Sequence, residues 1–191
     1  MKRSIQASGI LAAALFFAGC SSRTELVGYG PLIPLQHGLE TRLLGDGRGG
    51  ARLRVTNRTD GFLSVNQSPL AMTVRVLRAG KAVAPSYRIM PHMNMNPDAD
   101  SFVVMSPGQT REMAVPLSFR RGELRTLDGG YRLKKNRLYD VELRLNPYFG
   151  TFTKETSARI LAELKIPGYL RETLSANTMT IRARRAFAWT R

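Results

Sequence analysis

Residues 51–57 read ARLRVTN, with Ala51, Leu53 and Val55 set in alternation against Arg52, Arg54 and Thr56. Side chains along a strand point to opposite faces in turn, so this period of two predicts a strand with one buried and one wet face. The pattern recurs along the chain between turn signals. Residues 39–44 and 51–57 flank the loop GDGRGG and predict a hairpin. The stretch MTVRVLR (72–78) alternates likewise and stops at Ala79-Gly80-Lys81. Strands are predicted at 101–105 and 111–117, and the Pro107-Gly108 pair between them demands a tight turn. Residues 137–145 bury Leu138, Val141, Leu143 and Leu145 with an imperfect period, while 178–187 place Met179, Ile181, Ala183 and Arg185 on one face. Many short strands with little helix between them predict an all-β, antiparallel sandwich.

One segment departs from this. In KETSARILAELK (154–165), Ile160, Leu161 and Leu164 recur at helical spacing among good helix formers, and Pro167-Gly168 follows as a stop. A short helix crossing one end of the sandwich is predicted over 154–165.

Four segments, LRVTNRTD, MSPGQTREMAVPLS, GGYRLKKNRLYDVELRL and LSANTMTIR, resemble the successive strands of the single immunoglobulin-like sandwiches of bacterial exported lipoproteins. The shared marks are a polar Asn turn, a Pro-Gly-Gln turn leading into a strand, a Gly-Tyr strand start, and Leu-Ser-x-Asn before the last strand. The resemblance covers roughly residues 51–186, with the helix near 154–165 as an insertion. It implies an immunoglobulin-like fold, not an activity. LRVTN with a later PGQ is similar also to the first domain of periplasmic pilus chaperones, but this chain has no room for their second sandwich.

The N-terminus, MKRSIQASGILAAALFFAGCSSR, has the charged start, apolar middle and small-residue end of an export signal. Its apolar run, 10–18, is well short of the ~20 residues that cross a bilayer as a helix. FAGC resembles the lipobox of bacterial lipoproteins, with Phe17 where leucine is commonest, and implies that Cys20 is diacylated and becomes the first mature residue. It is the chain's one cysteine. Ser21 and Ser22 follow where inner-membrane lipoproteins carry aspartate, which implies the outer membrane, facing the periplasm. The expected plan is a lipoprotein signal peptide at 1–19, a lipidated N-terminus and flexible tether at 20–38, rich in Gly and Pro, and a sandwich domain at 39–191.

Charge points to a partner. Lys and Arg number 29 against 14 acids, and removing Lys2 and Arg3 leaves 27 against 14, a net +13. Arg120, Arg121, Arg125, Arg132, Lys134, Lys135 and Arg137 crowd one stretch, and Arg182, Arg184 and Arg185 another. Such a field attracts anionic surfaces. For an exported chain these are lipid headgroups, lipopolysaccharide phosphates, wall polymers and acidic proteins. Nucleic acid is disfavoured by location and by the scarcity of stacking aromatics, with only Phe119 and Tyr131 nearby. The competing reading is that these charges solubilise the domain and guard its sheet edges.

Catalytic patterns are missing. There is no GxSxG elbow, HExxH pair or phosphate-binding glycine loop, and a lipidated Cys20 offers no thiolate. His37 falls in the expected spacer, and Asp98 and Asp100 near His92 read as turn formers. The stretch MPHMNMNP (90–97) brings Met90, His92, Met93 and Met95 close, and thioether with imidazole suits Cu(I). On a regular strand Met93 and Met95 would face away from Met90 and His92, so convergence requires an irregular loop between Pro91 and Pro97. The alternative is methionines filling gaps beneath a loop. The expectation is a non-enzymatic, cofactor-free, lipid-anchored envelope module whose basic face engages an anionic component or a periplasmic protein. A periplasmic copper-binding protein using residues 90–95 is the alternative.

Overall fold

The computed structural model describes residues 24–47, 49–89, 99–120, 122–146, 154–166, 168, 170 and 172–183. In chain order the strands are β1 (Thr24–Tyr29), β2 (Leu39–Gly45), β3 (Gly50–Asn57), β4 (Leu63–Asn66), β5 (Met72–Arg78), β6 (Lys81–Ala82) and β7 (Tyr87–Arg88). They continue as β8 (Phe102–Met105), β9 (Thr110–Arg120), β10 (Glu123–Thr126), β11 (Gly129–Arg132), β12 (Leu138–Leu145), β13 (Leu174–Ser175) and β14 (Met179–Ala183), with one α-helix among the described residues, α1 (Lys154–Glu163).

One sheet runs β1-β14-β12-β5-β6, with β13 also on β12; the other runs β2-β3-β9-β10-β11-β7; β4 and β8 pair separately. Every strand pair is antiparallel. The chain passes from the β2-β3 hairpin to β5 in the facing sheet, returns as β9 beside β3, and crosses again as β12 beside β5. That is the strand order of an immunoglobulin-like sandwich, with β2, β3, β5, β9, β12 and β14 as strands A, B, C, E, F and G. The apolar sets of the alternating strands meet between the sheets: Leu53 and Val55 of β3 and Val115 of β9 face a core that includes Val76, Leu143 and Ile181.

A tyrosine closes one corner. Tyr139, at the start of β12, is buried, and its hydroxyl accepts the backbone N–H of Lys134 at 2.8 Å. This is the tyrosine corner expected at the E–F crossing of such sandwiches. It corrects the sequence reading of β12: Tyr139 takes the inward position and Leu138 is 46% exposed. Two adjacent bulky residues left the period ambiguous, and the hydroxyl's partner decides it. The segment GGYRLKKNRLYDVELRL is likewise two elements, with Gly129–Arg132 in one sheet and Leu138–Leu145 in the other.

Residues 20–38 were expected as a flexible tether, yet β1 within them pairs with β14 from Thr24↔Ala183 to Tyr29↔Met179. The register slips between Leu26 and Gly28, so a bulge breaks the period of two and hides the strand from pattern reading. Pro116, which cannot donate to a ladder, is similarly accommodated in β9. There the pairing jumps from Ala51↔Val115 to Gly50↔Ser118. The helix lies where predicted and ends at Glu163, and just beyond it Lys165, at φ 53°, turns the chain. Beyond it, Gly168 accepts the N–H of Ser64, tying this insertion to β4.

The Asn turn and the Pro-Gly-Gln turn meet at one end. Asn57 is fully buried; its Nδ2 donates to the carbonyls of Gly61 and Met105, and its Oδ1 accepts from Thr59 N–H. Its backbone N–H donates to Gln109, and its carbonyl accepts from Gly108. Between the sheets, Asn177 does a comparable job. The ladder along β12 is interrupted between β13 and β14, and there the Asn177 amide turns onto β2. Its Oδ1 accepts the Leu43 N–H at 2.7 Å, and its Nδ2 donates to the Leu43 carbonyl at 3.4 Å. The Gln36 amide matches this on Ser175, accepting its N–H at 2.9 Å and donating to its carbonyl at 2.7 Å. Two side-chain amides thus stand in for missing strand partners at the seam.

Candidate anionic-surface site

The turn Lys134-Lys135-Asn136-Arg137 follows β11 and is held by its backbone alone. Lys134 N–H donates to the Tyr139 hydroxyl, Arg137 N–H to the Lys134 carbonyl, and Asn136 N–H to the Ala183 carbonyl at 2.9 Å. Asn136 sits at φ 56°, a left-handed conformation that asparagine tolerates better than most residues. All four side chains are exposed. The corner therefore presents cations without using them to hold itself together.

Strand register gathers further basic residues here. Arg182 lies opposite Leu138, beside the last turn residue. On the other flank of β12, Leu77 pairs with Asp140, which brings the end of β5 to the same rim, and there Arg78 pairs with Lys81. Both are exposed. From the second sheet, β11 delivers Arg132 opposite Glu123, and Glu123 lies opposite Arg120. Six of the ten basic residues expected from sequence are thus placed side chain and all or by strand position: Arg120, Arg132, Lys134, Lys135, Arg137 and Arg182 belong to this end. Arg125 is described too, but it faces outward from β10 and is engaged with Glu123 at 2.7 Å. That guanidinium holds the Glu123 carboxyl below its ordinary range, with the Tyr87 hydroxyl assisting. Arg121, Arg184 and Arg185 lie outside the described residues, as do Cys20 and the Met90, His92, Met93 and Met95 set.

Sequence reasoning missed Arg78 and Lys81. The available signal was their position: residues bracketing the Ala79-Gly80 turn must sit at strand ends, and only the topology says which end.

A second basic surface covers the outer face of the β2-β3-β9 sheet, and there each acid is shared. Glu112 bonds Arg52 at 2.8 Å and Arg54 at 2.7 Å; Glu40 bonds Arg42 at 2.8 Å and Arg58 at 2.7 Å. The hydrogen bond from Arg54 is the main cause that holds Glu112 below the usual carboxylate range, and the bond from Arg58 does the same for Glu40. These ladders neutralise part of their own charge. By contrast, no described carboxylate forms an ion pair with Lys134, Lys135 or Arg137. An approaching anion meets bare cations at the corner and half-compensated ones on the sheet face.

His37 is paired instead with Glu172, Nε2 to carboxylate at 2.9 Å on the surface. Among the described residues no three His, Cys, Asp or Glu side chains gather as a metal would require, and no helix is long and apolar enough to cross a membrane. Comparison with known proteins returns no matching family model, no matching curated protein and no matching solved structure.

Proposed function

We propose that the chain is a lipid-anchored, non-enzymatic binding module of the bacterial envelope that engages an anionic envelope component through the basic end of its sandwich. The observation that carries this reading is the corner at Lys134, Lys135 and Arg137. It is rigidly held through backbone bonds, exposed, and without a described carboxylate partner, while the basic residues of the neighbouring sheet face share theirs. Attraction of this kind is screened over roughly 8 Å at physiological ionic strength, so it weakens as salt rises.

The test is cosedimentation of a lipid-free form of the protein, beginning after Cys20, with isolated envelope fractions across a salt series. Binding that is strong at low salt and lost on neutralising Arg132, Lys134 and Lys135 together supports the reading; binding indifferent to both abolishes it. The anchor has its own measurement: the mass of the mature N-terminal peptide should carry lipid on Cys20, and an unmodified thiol there removes the anchor from the proposal.

A further inference from the structure

The lipid anchor and the basic corner meet at the same end of the fold. Thr24, the first described residue, pairs with Ala183, and the carbonyl of Ala183 accepts the N–H of Asn136 in the middle of the basic turn. Neighbouring strands stand about 4.8 Å apart, so Thr24 and Asn136 are roughly 10 Å from each other across β14. Cys20 precedes Thr24 by four positions. A chain of that length spans at most ~14 Å even when fully extended. A tether running to residue 38 would have let the domain tumble far from its anchor; a tether ending at Thr24 holds one end of the sandwich against the surface.

We infer that the anionic partner of the corner is the headgroup layer of the bilayer that carries the chain's own anchor. This rests on the reading that Cys20 is acylated. The domain stands on the membrane through Lys134, Lys135 and Arg137, with Arg182, Arg78 and Lys81 along the same rim, and the Asn57 and Pro-Gly-Gln turns at the far end point away from it. Three features converge: the position at which the chain leaves the sandwich, the shortness of what remains, and the sign of the charge at that place. Contact in this arrangement is intramolecular in effect, so modest attraction suffices to fix orientation.

Orientation is read by lysine footprinting. Lys134 and Lys135 are the reporters, and Lys165 is the internal reference. Lys165 is exposed beyond α1, three positions from Gly168, which packs on Phe62 and Leu63 past the Asn57 end of β3. The mature protein is reconstituted into vesicles of phosphatidylcholine alone and into vesicles that also contain phosphatidylglycerol, and acylation rates are compared. Each basic side chain near an anionic lipid surface multiplies partitioning about fivefold, so the three corner cations together give protection on the order of 100-fold. On anionic vesicles Lys134 and Lys135 should be strongly protected relative to Lys165, and on zwitterionic vesicles they should not. Arg137→Gln keeps both reporters and should reduce the protection about fivefold; the Arg137 side chain forms no ion pair with a described carboxylate, and its backbone bond to Lys134 is kept. Equal labelling of the reporters on both vesicle types, with the protein inserted in each, overturns the inference. If salt-sensitive binding to envelope fractions persists beside that result, the broader proposal survives and only the lipid as partner is lost. Protein that stays in the supernatant of both vesicle types removes the anchor, and the inference falls with it.

Discussion

Replacing Asn177 tests whether side-chain amides really close the seam between the sheets. Asn177 is 3% exposed and Leu43, whose backbone it serves, is fully buried. Asn177→Ala leaves the Leu43 N–H without its acceptor at 2.7 Å and removes the weaker bond at 3.4 Å. An orphaned buried donor costs about 1–3 kcal/mol and a lost ordinary bond about 0.5–1.5 kcal/mol, so destabilisation of about 3 kcal/mol is expected. With a urea dependence of about 2 kcal/mol per molar, the unfolding midpoint should drop by about 1.5 M. Asn177→Asp sharpens the test, because it is isosteric and opens no cavity. One oxygen can still accept from Leu43 N–H, but the other replaces a donor and faces the carbonyls of Leu43 and Thr178. Burial and these carbonyls raise the folded-state pKa of the new carboxyl above its unfolded value of about 3.9. The folded state then binds the proton more tightly, so the deficit is full well above the folded pKa and shrinks as pH falls through it. Urea titrations of the three proteins at neutral and acid pH decide the matter. An alanine variant within about 0.5 kcal/mol of the parent, which is the range of ordinary surface changes, refutes the assignment. So does an aspartate variant whose deficit grows on acidification relative to the parent.

Tyr139→Phe should cost about 1 kcal/mol, the worth of one hydrogen bond, and should speed amide exchange at Lys134, whose N–H the hydroxyl accepts at 2.8 Å; unchanged exchange there contradicts the corner. Glu112 has a folded pKa below 4.5 because Arg54 and Arg52 favour its charged form, so its contribution to stability is present above that value and is lost as pH falls through the folded pKa. Thermal unfolding of the parent and Glu112→Gln should therefore differ at neutral pH and converge in acid, with the difference also shrinking in high salt; parallel pH profiles would contradict the ladder.

The frame of the sandwich was legible because its central strands bury one face only. In β2, β3, β5 and β14 the period of two is the direct image of that burial, and Gly or Pro at the turns marks where each strand stops. Where the image was blurred, a local event had changed the period. The bulge after Leu26 concealed β1, and the neighbouring Leu138 and Tyr139 made either face of β12 look apolar. The two-residue strands β6, β7 and β13 are too short to carry any period. Asn57 and Asn177 could be read as letters of a resemblance, but their work is done on partners distant in sequence: Asn57 on Met105, Asn177 on Leu43. The basic corner was half visible in the same sense. Lys134, Lys135 and Arg137 form a run, whereas Arg78 and Lys81 reach the rim only through the pairing of β5 with β12.

The pairing of β1 with β14 also dictates an order in time. A ribosome delivers Thr24 long before Ala183, and the Asn177 bond to Leu43 spans 134 positions of sequence. Early strands can pair as the β2-β3 hairpin, but the free edge of β2 has no cover until the last described segment arrives with Asn177. Contacts this distant make folding slow and leave strand edges open to other chains meanwhile. The nascent protein therefore needs to be kept solitary until its C-terminal segment is free, and loss of that segment would expose both ends of the seam at once.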